Sequence, residues 1–329
     1  MQTWTACLRV NKQKTMKVLV TGASGFVGRH LLPTLERTYP HATLVGTSGP
    51  SDPPRTSVDG FVAIPLDLAN QQSIHDVVMA VQPTHVVHLA GFASGAGTDA
   101  EGIAKINASG TESLLNALEG LSHPVTAVLA SSGYVYGTTP AAPGADESFP
   151  CNPSGAYAVS KADMENAAAT LASDKLRIVV SRSFNHTGPL QTTQFVVPAF
   201  AQQLARIERG ELPPVVKVGN LDALRDFLPV ADVVDAYCRM LEIDAPYTVL
   251  NVSSGVGVSV RDLLNGLIDF SSTPVTVELD PARMRASDVP CSIGNPAKAK
   301  QLLHWEPGGD LASMLSTTLA YWRGHTVGN

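Results

Sequence analysis

One segment near the start of the chain limits the possible folds most. The apolar residues 18–20 run directly into TGASGFVG (residues 21–28), and a leucine-rich helical pattern follows. Gly22, Gly25 and Gly28 allow a sharp turn and a close approach of helix to strand, which predicts a strand–turn–helix unit. Backbone amides near Gly25 and the positive end of the helix also suit a pyrophosphate. Three glycines at a strand end can equally form a tight turn without a ligand, so the motif depends on its context.

Strands and helices alternate through the first half of the chain. The pattern predicts strands at residues 17–21, 43–46, 60–66, 85–90 and 125–131, with helices between them, including one over residues 100–118. The apolar runs are short and lack the alternation of a half-exposed strand, which indicates a parallel sheet covered by helices on both faces. We therefore predict an α/β fold with a doubly wound parallel sheet, a Rossmann fold, over residues 16–186.

The second half of the chain has a different sequence pattern, with many prolines and no regular alternation of strands and helices. From about residue 187, many of the 23 prolines divide it into shorter, irregular pieces. We predict a smaller mixed α/β subdomain over residues 187–329 that binds the substrate, with a strand returning to the large sheet within residues 225–255. Residues 1–15 precede the first strand and are expected to be a flexible N-terminal extension or to reflect an upstream start.

Composition excludes several classes of protein. Hydrophobic residues make up 44% of the 329 residues and charged residues 16%, which supplies a sizeable core and excludes a disordered chain. The net charge of −6 provides no attraction for nucleic acid or an anionic membrane, so neither partner is expected. No apolar run approaches the ~20 residues of a membrane-spanning helix, and residues 1–15 lack the pattern of a secretory signal, so a cytoplasmic protein is expected. The 4 cysteines are scattered and no histidine–carboxylate cluster has ligand spacing, so we expect no metal.

The end of the second strand bears on which dinucleotide the glycine turn would hold. A carboxylate there favours a ribose 2′-hydroxyl, whereas a cation or a hydroxyl tolerates a 2′-phosphate. No acid follows this strand directly, and Thr47, Ser48 and Arg55 could face a phosphate, so NADP is favoured and NAD stays possible. Asp52 lies further along and is expected to be a turn residue. Asp67, after the third strand, suits an adenine contact and a helix cap equally well.

A second motif, YAVSK (residues 157–161), indicates acid–base chemistry. Tyr157 and Lys161 are four residues apart, so on a helix the phenol and the ammonium lie on one face. A free phenol has a pKa of ~10, and a neighbouring ammonium is expected to lower that pKa and to favour proton transfer. Such pairs also occur as solvated pairs on many helices. Here the motif follows a strand that ends in ASSGYVYG (residues 130–137), which favours a catalytic site.

Together these motifs resemble the extended short-chain dehydrogenase/reductase family, also called the NAD-dependent epimerase/dehydratase family. The matching segments are TGASGFVG (21–28), HLAGFAS (88–94), Asn107 with Gly110 and Thr111, SSGYVYG (131–137) and YAVSK (157–161). The branch of that family that acts on GDP-deoxyhexoses is similar in RSFNHTGP (182–189), FVVP (195–198), VGNLDALRDF (218–227) and RASDVP (285–290). The resemblance spans about residues 16–322.

The resemblance implies roles for individual residues. Tyr157 would be the catalytic acid, Lys161 would tune it and hold the nicotinamide ribose, and Ser132 rather than Ser131 would bond the reacting oxygen. Dehydratases of this group carry acidic residues directly after that hydroxyl, whereas residues 133–134 are Gly and Tyr here, which favours reduction over dehydration. Taken with the preceding motifs, the expected cofactor contacts are Gly22, Ser24, Gly25, Phe26, Val27, Gly28, Thr47, Ser48, Arg55, Asp67, Leu68, Leu89, Ala90, Gly91, Asn107, Tyr157 and Lys161.

An acidic chain that binds a diphosphate needs local cations. Arg225 and Arg285 are the best candidates because a guanidinium forms two hydrogen bonds with phosphate oxygens, although each could equally form a surface ion pair. Asp288 could meet the ribose or base, or cap a turn, and Lys217 is a candidate nucleobase contact. The resemblance implies that Asn185 bonds the diphosphate or the sugar. The expected substrate contacts are Ser94, Ser131, Ser132, Asn185, Val196, Lys217, Arg225, Arg285 and Asp288.

The function that the resemblance implies is the NAD(P)H-dependent reduction of the C4 ketone of GDP-4-keto-6-deoxy-D-mannose to GDP-6-deoxy-D-mannose (GDP-D-rhamnose). Two other functions stay open. A nucleotide-sugar 4-epimerase would use the same residues and keep NAD bound, and a dinucleotide-binding sensor would keep the fold without the chemistry. The resemblance also implies a homodimer through a helix bundle that includes residues 100–118 and 156–171.

Overall fold

The fold is known from a computed structural model that describes residues 16–50, 52, 57–93, 99–284 and 289–325. The strands are β1 Lys17–Thr21, β2 Thr43–Ser48, β3 Ser57–Val58, β4 Phe61–Pro65, β5 His85–His88, β6 Val125–Ser132, β7 Leu176–Ser183, β8 Asn185–Thr187, β9 Val215–Val218, β10 Leu224–Pro229, β11 Tyr247–Val252, β12 Gly257–Ser259, β13 Thr276–Leu279 and β14 Cys291–Ser292. The helices are α1 Phe26–Thr38, α2 Gln71–Val81, α3 Ala100–Ala104, α4 Gly110–Glu119, α5 Ala156–Leu171, α6 Val196–Glu208, α7 Val230–Met240, α8 Val260–Asp269, α9 Ala297–Leu303 and α10 Leu311–Arg323. None of the helices in these ranges is long and apolar enough to cross a bilayer.

The largest sheet has the strand order β11-β7-β6-β5-β1-β2-β4-β3. Seven of these strands pair in parallel, and only the short β3 pairs antiparallel, with β4. Successive side chains point to opposite faces, so Val18 and Val20 lie in one buried core while Leu19 lies in the other. Helices α1, α7 and α9 cover the first face, and α2, α4 and α5 cover the second. The predicted doubly wound parallel sheet is confirmed.

The C-terminal half contributes to two layers of the molecule. β11 pairs with β7 at the edge of the large sheet, and α7 covers the same face as α1. A separate core packs α6, α8 and α10 together with β9. Two small sheets flank it, one built from β8, β10, β12 and β14 and the other from β9 and β13. The assignment of residues 187–329 as a substrate-binding unit stays a prediction.

The register of the large sheet gathers polar side chains at one edge. Thr21 at the end of β1 pairs with His88 at the end of β5, and Ser132 at the end of β6 pairs with Ser183 at the end of β7. The carboxyl ends of parallel strands meet at a common edge, where ligands bind in open α/β sheets. This edge therefore holds the candidate site.

Candidate active site

The glycine turn between β1 and α1 lies too close to its neighbours for a side chain at two of its positions. Gly22 has a φ of 69°, and a Cβ there would lie 2.8 Å from the backbone N of Ala90. A Cβ on Gly28 would lie 2.6 Å from the carbonyl oxygen of Ala23. The first N–H groups of α1 have no partner within the helix, and the residues that carry them line a cavity. The turn therefore fits the pyrophosphate of a dinucleotide.

A buried histidine holds this turn to the neighbouring strand and helix. His88 Nδ1 lies 2.7 Å from Thr21 Oγ1, and His88 Nε2 lies 2.8 Å from Thr111 Oγ1. Burial lowers the pKa of His88 to about 3, and the positive charge of Lys161 acts in the same direction. The imidazole is therefore neutral at physiological pH, and it ties β1, β5 and α4 together beside the glycine turn.

The cavity has a volume of about 680 Å³, within the ~300–1,000 Å³ of small-molecule sites. It extends from the glycine turn along the carboxyl ends of β6 and β7 to β10 and the single helical turn Pro281–Arg283. The sequence-predicted residues that line it are Gly22, Gly25, Phe26, Val27, Gly28, Leu89, Gly91, Ser131, Ser132, Tyr157, Lys161, Asn185, Val196 and Arg225. The predicted residues that the structure describes elsewhere are Ser24, Thr47, Ser48, Asp67, Leu68, Ala90, Asn107 and Lys217. Arg55, Ser94, Arg285 and Asp288 lie outside the described residues.

The three predicted catalytic side chains come together at the end of β6. Tyr157 and Lys161 lie one turn apart on α5, and both line the same cavity as Ser132, which is close enough to act on the pKa of the Tyr157 phenol. Lys161 Nζ donates to the carbonyl oxygen of Ala130 at 2.7 Å, so its ammonium is held against the same strand. A ketone oxygen placed between the two hydroxyls would meet two hydrogen-bond donors.

The acidity of Tyr157 differs from the sequence-based expectation. Burial raises the pKa of Tyr157 to about 12, although the hydrogen bond with Ser132 acts to lower it. The prediction that Lys161 brings this pKa below its usual value is therefore wrong for this arrangement. The physical reason is that withdrawal from water outweighs the other influences on the phenol. A phenol that stays protonated at neutral pH is suited to donating a proton.

Lys161 is itself only 7% exposed. Burial lowers the pKa of Lys161 to about 8, and the carboxylate of Glu165 acts to raise it. Glu165 lies four residues further along α5, so it is on the same face of the helix one turn away. The charge of Lys161 at neutral pH therefore depends on the balance between burial and this carboxylate.

Glu165 also belongs to a buried polar network behind the strand end. Arg182 Nη2 lies 2.7 Å from Glu165 Oε2, and both side chains are less than 10% exposed. Arg182 Nη1 donates to the hydroxyl of Tyr136 at 2.9 Å. The hydroxyl of Ser131 donates to Glu165. Ser131 was predicted to contact the substrate, but its hydroxyl points into this network, which leaves Ser132 as the strand-end hydroxyl beside Tyr157.

Asn107 holds a loop that lines the cavity. It lies in the π-helical turn Lys105–Ser109, which separates α3 from α4 where one continuous helix was predicted. Its side chain accepts from the N–H of Phe92 at 2.8 Å and donates to the carbonyl of Phe92 at 3.0 Å and to Ser160 Oγ at 3.1 Å. Through these bonds Asn107 positions the loop after β5, and its assignment as a cofactor contact stays a prediction.

The structure describes three of the residues that were predicted to face the adenosine half of the cofactor. Thr47 is 1% exposed, and its hydroxyl accepts from the N–H of Gly22 at 3.2 Å, so it supports the glycine turn from behind. Ser48 is likewise buried, at 4% exposure. Asp67 accepts from the N–H of Ala69 at 2.9 Å, which is the bonding of a turn cap. Thr47 and Ser48 are both buried, and their assignment to a 2′-phosphate stays a prediction.

The opposite end of the cavity carries the candidate diphosphate contacts. Arg225 on β10 is 5% exposed, and its Nη1 donates to the carbonyl of Leu224 at 2.9 Å. Asn185 lies on the neighbouring strand β8, where it pairs with Phe227, two residues along β10 from Arg225. Lys217 is exposed on β9 and its backbone bonds the side chain of Gln203, so its assignment to the nucleobase stays a prediction.

Many of the cavity residues were not identified from the sequence, and four of them carry a polar ring or a charged group. Tyr134, His186, Tyr237 and Arg283 all line the cavity. Tyr134 lies in the motif SSGYVYG, two residues after Ser132, and His186 lies in RSFNHTGP, directly after Asn185. Arg283 precedes the predicted Arg285 by two residues and lies 3.3 Å from Asp280. Nothing in the spacing marks Tyr237, which reaches the cavity from α7 and bonds Ser183 through its hydroxyl.

Comparison with known proteins defines the class to which this fold and site belong. The family model described as GDP-mannose 4,6-dehydratase matches residues 19–318. The chain therefore belongs to that family of NAD(P)-dependent epimerases, dehydratases and reductases, which confirms the resemblance seen in its motifs.

Individual relatives cover nearly the whole chain. GDP-6-deoxy-D-mannose reductase of Pseudomonas aeruginosa is 34% identical over 313 residues, which cover 94% of this chain and 97% of that protein. The solved structure of RMD from Pseudomonas aeruginosa complexed with NADPH has a TM-score of 0.79 and 31% identity, covering 94% of this chain and 99% of the other. The UDP-glucose 4-epimerase of Thermus thermophilus, complexed with NAD, has a TM-score of 0.83 and 27% identity, covering 94% of this chain and 100% of the other.

Proposed function

We propose that the protein reduces the C4 ketone of GDP-4-keto-6-deoxy-D-mannose to GDP-6-deoxy-D-mannose, with NAD(P)H as the reductant. The observation that carries the proposal is the hydroxyl pair of Ser132 and Tyr157, held in a cavity that reaches both the glycine turn and Arg225. The 34% identity to a GDP-6-deoxy-D-mannose reductase supports the choice of substrate.

Each catalytic side chain has a distinct task in this reaction. A nicotinamide cofactor held by the glycine turn and Lys161 would supply the hydride for the ketone carbon. Tyr157, protonated at neutral pH, donates its hydroxyl proton to the ketone oxygen and later regains a proton from solvent. Ser132 donates a hydrogen bond to the same oxygen as negative charge develops on it. Lys161 stabilises the transient phenolate with its ammonium group.

The packing next to Ser132 supports reduction over dehydration. A Cβ on Gly133 would lie 2.8 Å from the ring of Phe184, so the position directly after Ser132 has no room for a carboxylate. The resemblance implies that dehydratases place an acid directly after this hydroxyl. Loss of water from a sugar needs such an acid–base group, whereas reduction of a ketone needs only the proton donor and the hydride source.

A direct assay tests the proposal. With GDP-4-keto-6-deoxy-D-mannose, the protein should oxidise one equivalent of NADPH or NADH for each equivalent of GDP-6-deoxy-D-mannose formed. In a thermal-shift panel, GDP should raise the melting temperature more than UDP, TDP or CDP, since ligands that bind the native state stabilise it. Stabilisation by UDP and not by GDP would overturn the substrate assignment.

A nucleotide-sugar 4-epimerase is the second candidate, and the TM-score of 0.83 to a UDP-glucose 4-epimerase favours it. The same tyrosine and serine would then remove and return a proton while the cofactor stays bound. Incubation with UDP-glucose or a GDP-hexose should in that case give the 4-epimer with no net change in NAD(P)H absorbance. Epimer formation without added reductant would replace the first proposal with this one.

We also propose that two copies pair through the helices of residues 100–118 and 156–171 and that the reaction takes place in the cytoplasm. Val159 on α5 is 42% exposed although it is apolar, which suits an interface. Sedimentation should give the mass of a dimer for the wild type and that of a monomer for Val159→Glu. A wild-type protein that sediments as a monomer would exclude the dimer.

The proposed location is tested by cell fractionation. Recovery of the protein outside the cytoplasmic fraction of cells would exclude it.

A further inference from the structure

Two tyrosines on the single helical turn after β6 have opposite environments. The turn spans Gly133–Tyr136. Tyr136 is 1% exposed, and its hydroxyl accepts from Arg182 and donates to the side-chain oxygen of Asn251. Tyr134 is half-buried and lines the cavity, and within the described part of the chain its hydroxyl makes no hydrogen bond. The buried network therefore uses one of the two phenols, and the other stays available to a ligand.

The backbone of this turn is fixed at both ends, so Tyr134 has a defined position. A Cβ on Gly133 would lie 2.8 Å from the ring of Phe184. A Cβ on Gly137, which ends the turn, would lie 2.5 Å from the carbonyl oxygen of Asn152. Neither end of the turn has room to shift toward its neighbour. A side chain on so rigid an element can hold a ligand group at a fixed place.

Tyr134 also lies next to the two hydroxyls that would hold the reacting oxygen. Its N–H donates to Ser132 Oγ at 3.2 Å, which leaves the proton of that hydroxyl available to another acceptor. Burial is the main reason that the pKa of Tyr157 is raised to about 12, and the nearby phenol of Tyr134 adds to the rise. Two phenols that influence each other through their charge lie close together. A sugar whose C4 oxygen lies between Ser132 and Tyr157 would therefore bring its neighbouring ring carbons to Tyr134.

The substrate of the proposed function offers a partner for this hydroxyl. The two ring carbons beside the C4 ketone are C3 and C5. C3 carries a hydroxyl group, whereas C5 carries the ring oxygen and the methyl group of a 6-deoxy sugar. A phenol can both donate and accept a hydrogen bond, and so can the C3 hydroxyl. Of the groups next to the ketone, the C3 hydroxyl is therefore the best partner for a phenol.

We propose that Tyr134 binds the C3 hydroxyl of the sugar and orients the ring for reduction. The proposal rests on the proposed function, because Ser132 and Tyr157 hold the C4 oxygen in that reaction. One contact at C4 leaves the ring free to rotate about this oxygen. A second contact at C3 fixes the rotation, so that the C4 carbon faces the hydride source. A substrate without the C3 hydroxyl leaves the phenol of Tyr134 without its partner and should react less efficiently.

A cycle of protein and substrate changes tests this contact. The constant kcat/KM is measured for GDP-4-keto-6-deoxy-D-mannose and for its 3-deoxy analogue, GDP-4-keto-3,6-dideoxy-D-mannose, with the wild type and with Tyr134→Phe. In the wild type, loss of the C3 hydroxyl should lower kcat/KM by at least about 3- to 10-fold, the range expected for one uncharged hydrogen bond. In Tyr134→Phe, the same loss should have an effect that is about 3- to 10-fold smaller, because the partner is already gone.

Tyr237→Phe is the matched control, because it removes another cavity hydroxyl, one that is bonded to Ser183. It should show the same difference between the two substrates as the wild type. Tyr134→Phe should bind GDP, NADH and NADPH within about twofold of the wild type, which shows that the variant is folded.

Two results would overturn the role of Tyr134. One is an equal effect of the 3-deoxy change in the wild type and in Tyr134→Phe. The other is an effect in Tyr237→Phe as small as that in Tyr134→Phe. A wild-type protein that does not reduce the keto sugar nucleotide would instead overturn the proposed function itself.

Discussion

The cavity has two walls that are held in different ways. The wall formed by the large sheet is fixed by contacts with the backbone. Gly22 packs closely against the backbone of Ala90, and the side chain of Lys161 donates a hydrogen bond to the carbonyl oxygen of Ala130. The opposite wall consists of side chains on short strands and turns, such as Arg283, whose side chain is 44% exposed. We propose that the sheet wall determines the chemistry and that the C-terminal wall determines which sugar nucleotide enters. Variants on the two walls should therefore change different kinetic constants.

The largest effect is expected from Tyr157→Phe on the sheet wall. Removal of the proton donor should lower kcat by about 10²–10⁴-fold, with little change in the dissociation constant of the cofactor. Tyr237→Phe is the control and should keep a kcat close to that of the wild type. It also removes a hydroxyl from the cavity, but that hydroxyl is bonded to Ser183. A Tyr157→Phe protein with wild-type turnover would contradict the assignment, and a binding protein without chemistry would show no turnover in either form.

Ser132→Ala should have the next largest effect. Loss of one donor to the developing oxyanion should lower kcat by about 10²-fold, with KM nearly unchanged. Its neighbour provides the comparison: Ser131→Ala removes a hydrogen bond to buried Glu165, so it should lower the melting temperature by an amount that reflects ~1–3 kcal/mol and affect kcat far less. Equal kcat losses in the two variants would show that the strand end acts only as a structural unit.

Arg225→Ala tests the C-terminal wall. If this guanidinium holds the diphosphate, KM should rise about 10- to 100-fold, in line with the ~1.5–3 kcal/mol of a hydrogen bond to a charged group. kcat at saturation should stay close to the wild-type value. Arg261→Ala, on an exposed arginine that pairs with Asp222, is the control. A fall in kcat with unchanged KM would contradict the proposal that the C-terminal wall binds the substrate while the sheet wall carries out the chemistry.

The smallest effect on the maximal rate is expected from Glu165→Gln, which should instead shift the pH dependence of activity. The pKa of Lys161 is lowered to about 8 by burial, so activity should fall above about pH 8 as the ammonium loses its proton. Glu165 raises that pKa, so its neutral variant should move the fall in activity to lower pH. Glu165→Asp keeps the charge, so its activity should fall at the same pH as that of the wild type. If the activity of Glu165→Gln fell at the wild-type pH, a group other than Lys161 would control the fall.

The two walls also differ in how far the sequence predicts them. Parallel strands, the glycine turn and the pair on α5 follow from local patterns with fixed periods, and the structure places Tyr157 and Ser132 together. The contact between Asp52 and Ser24 joins residues 28 positions apart, and no spacing rule announces it. The pKa of Tyr157 was misjudged because burial depends on the packed fold and not on the helical spacing.

The transfer of label from a deuterated cofactor tests the central claim most directly. Reduced cofactor that carries deuterium at nicotinamide C4, on each face in turn, is incubated with GDP-4-keto-6-deoxy-D-mannose, and the product is examined by NMR. The account predicts that one of the two labelled forms places deuterium on the sugar C4, with one equivalent of cofactor oxidised per product, and that Tyr157→Phe nearly abolishes this transfer. Product formed without net oxidation of cofactor, or label absent from C4 with both forms, would contradict it.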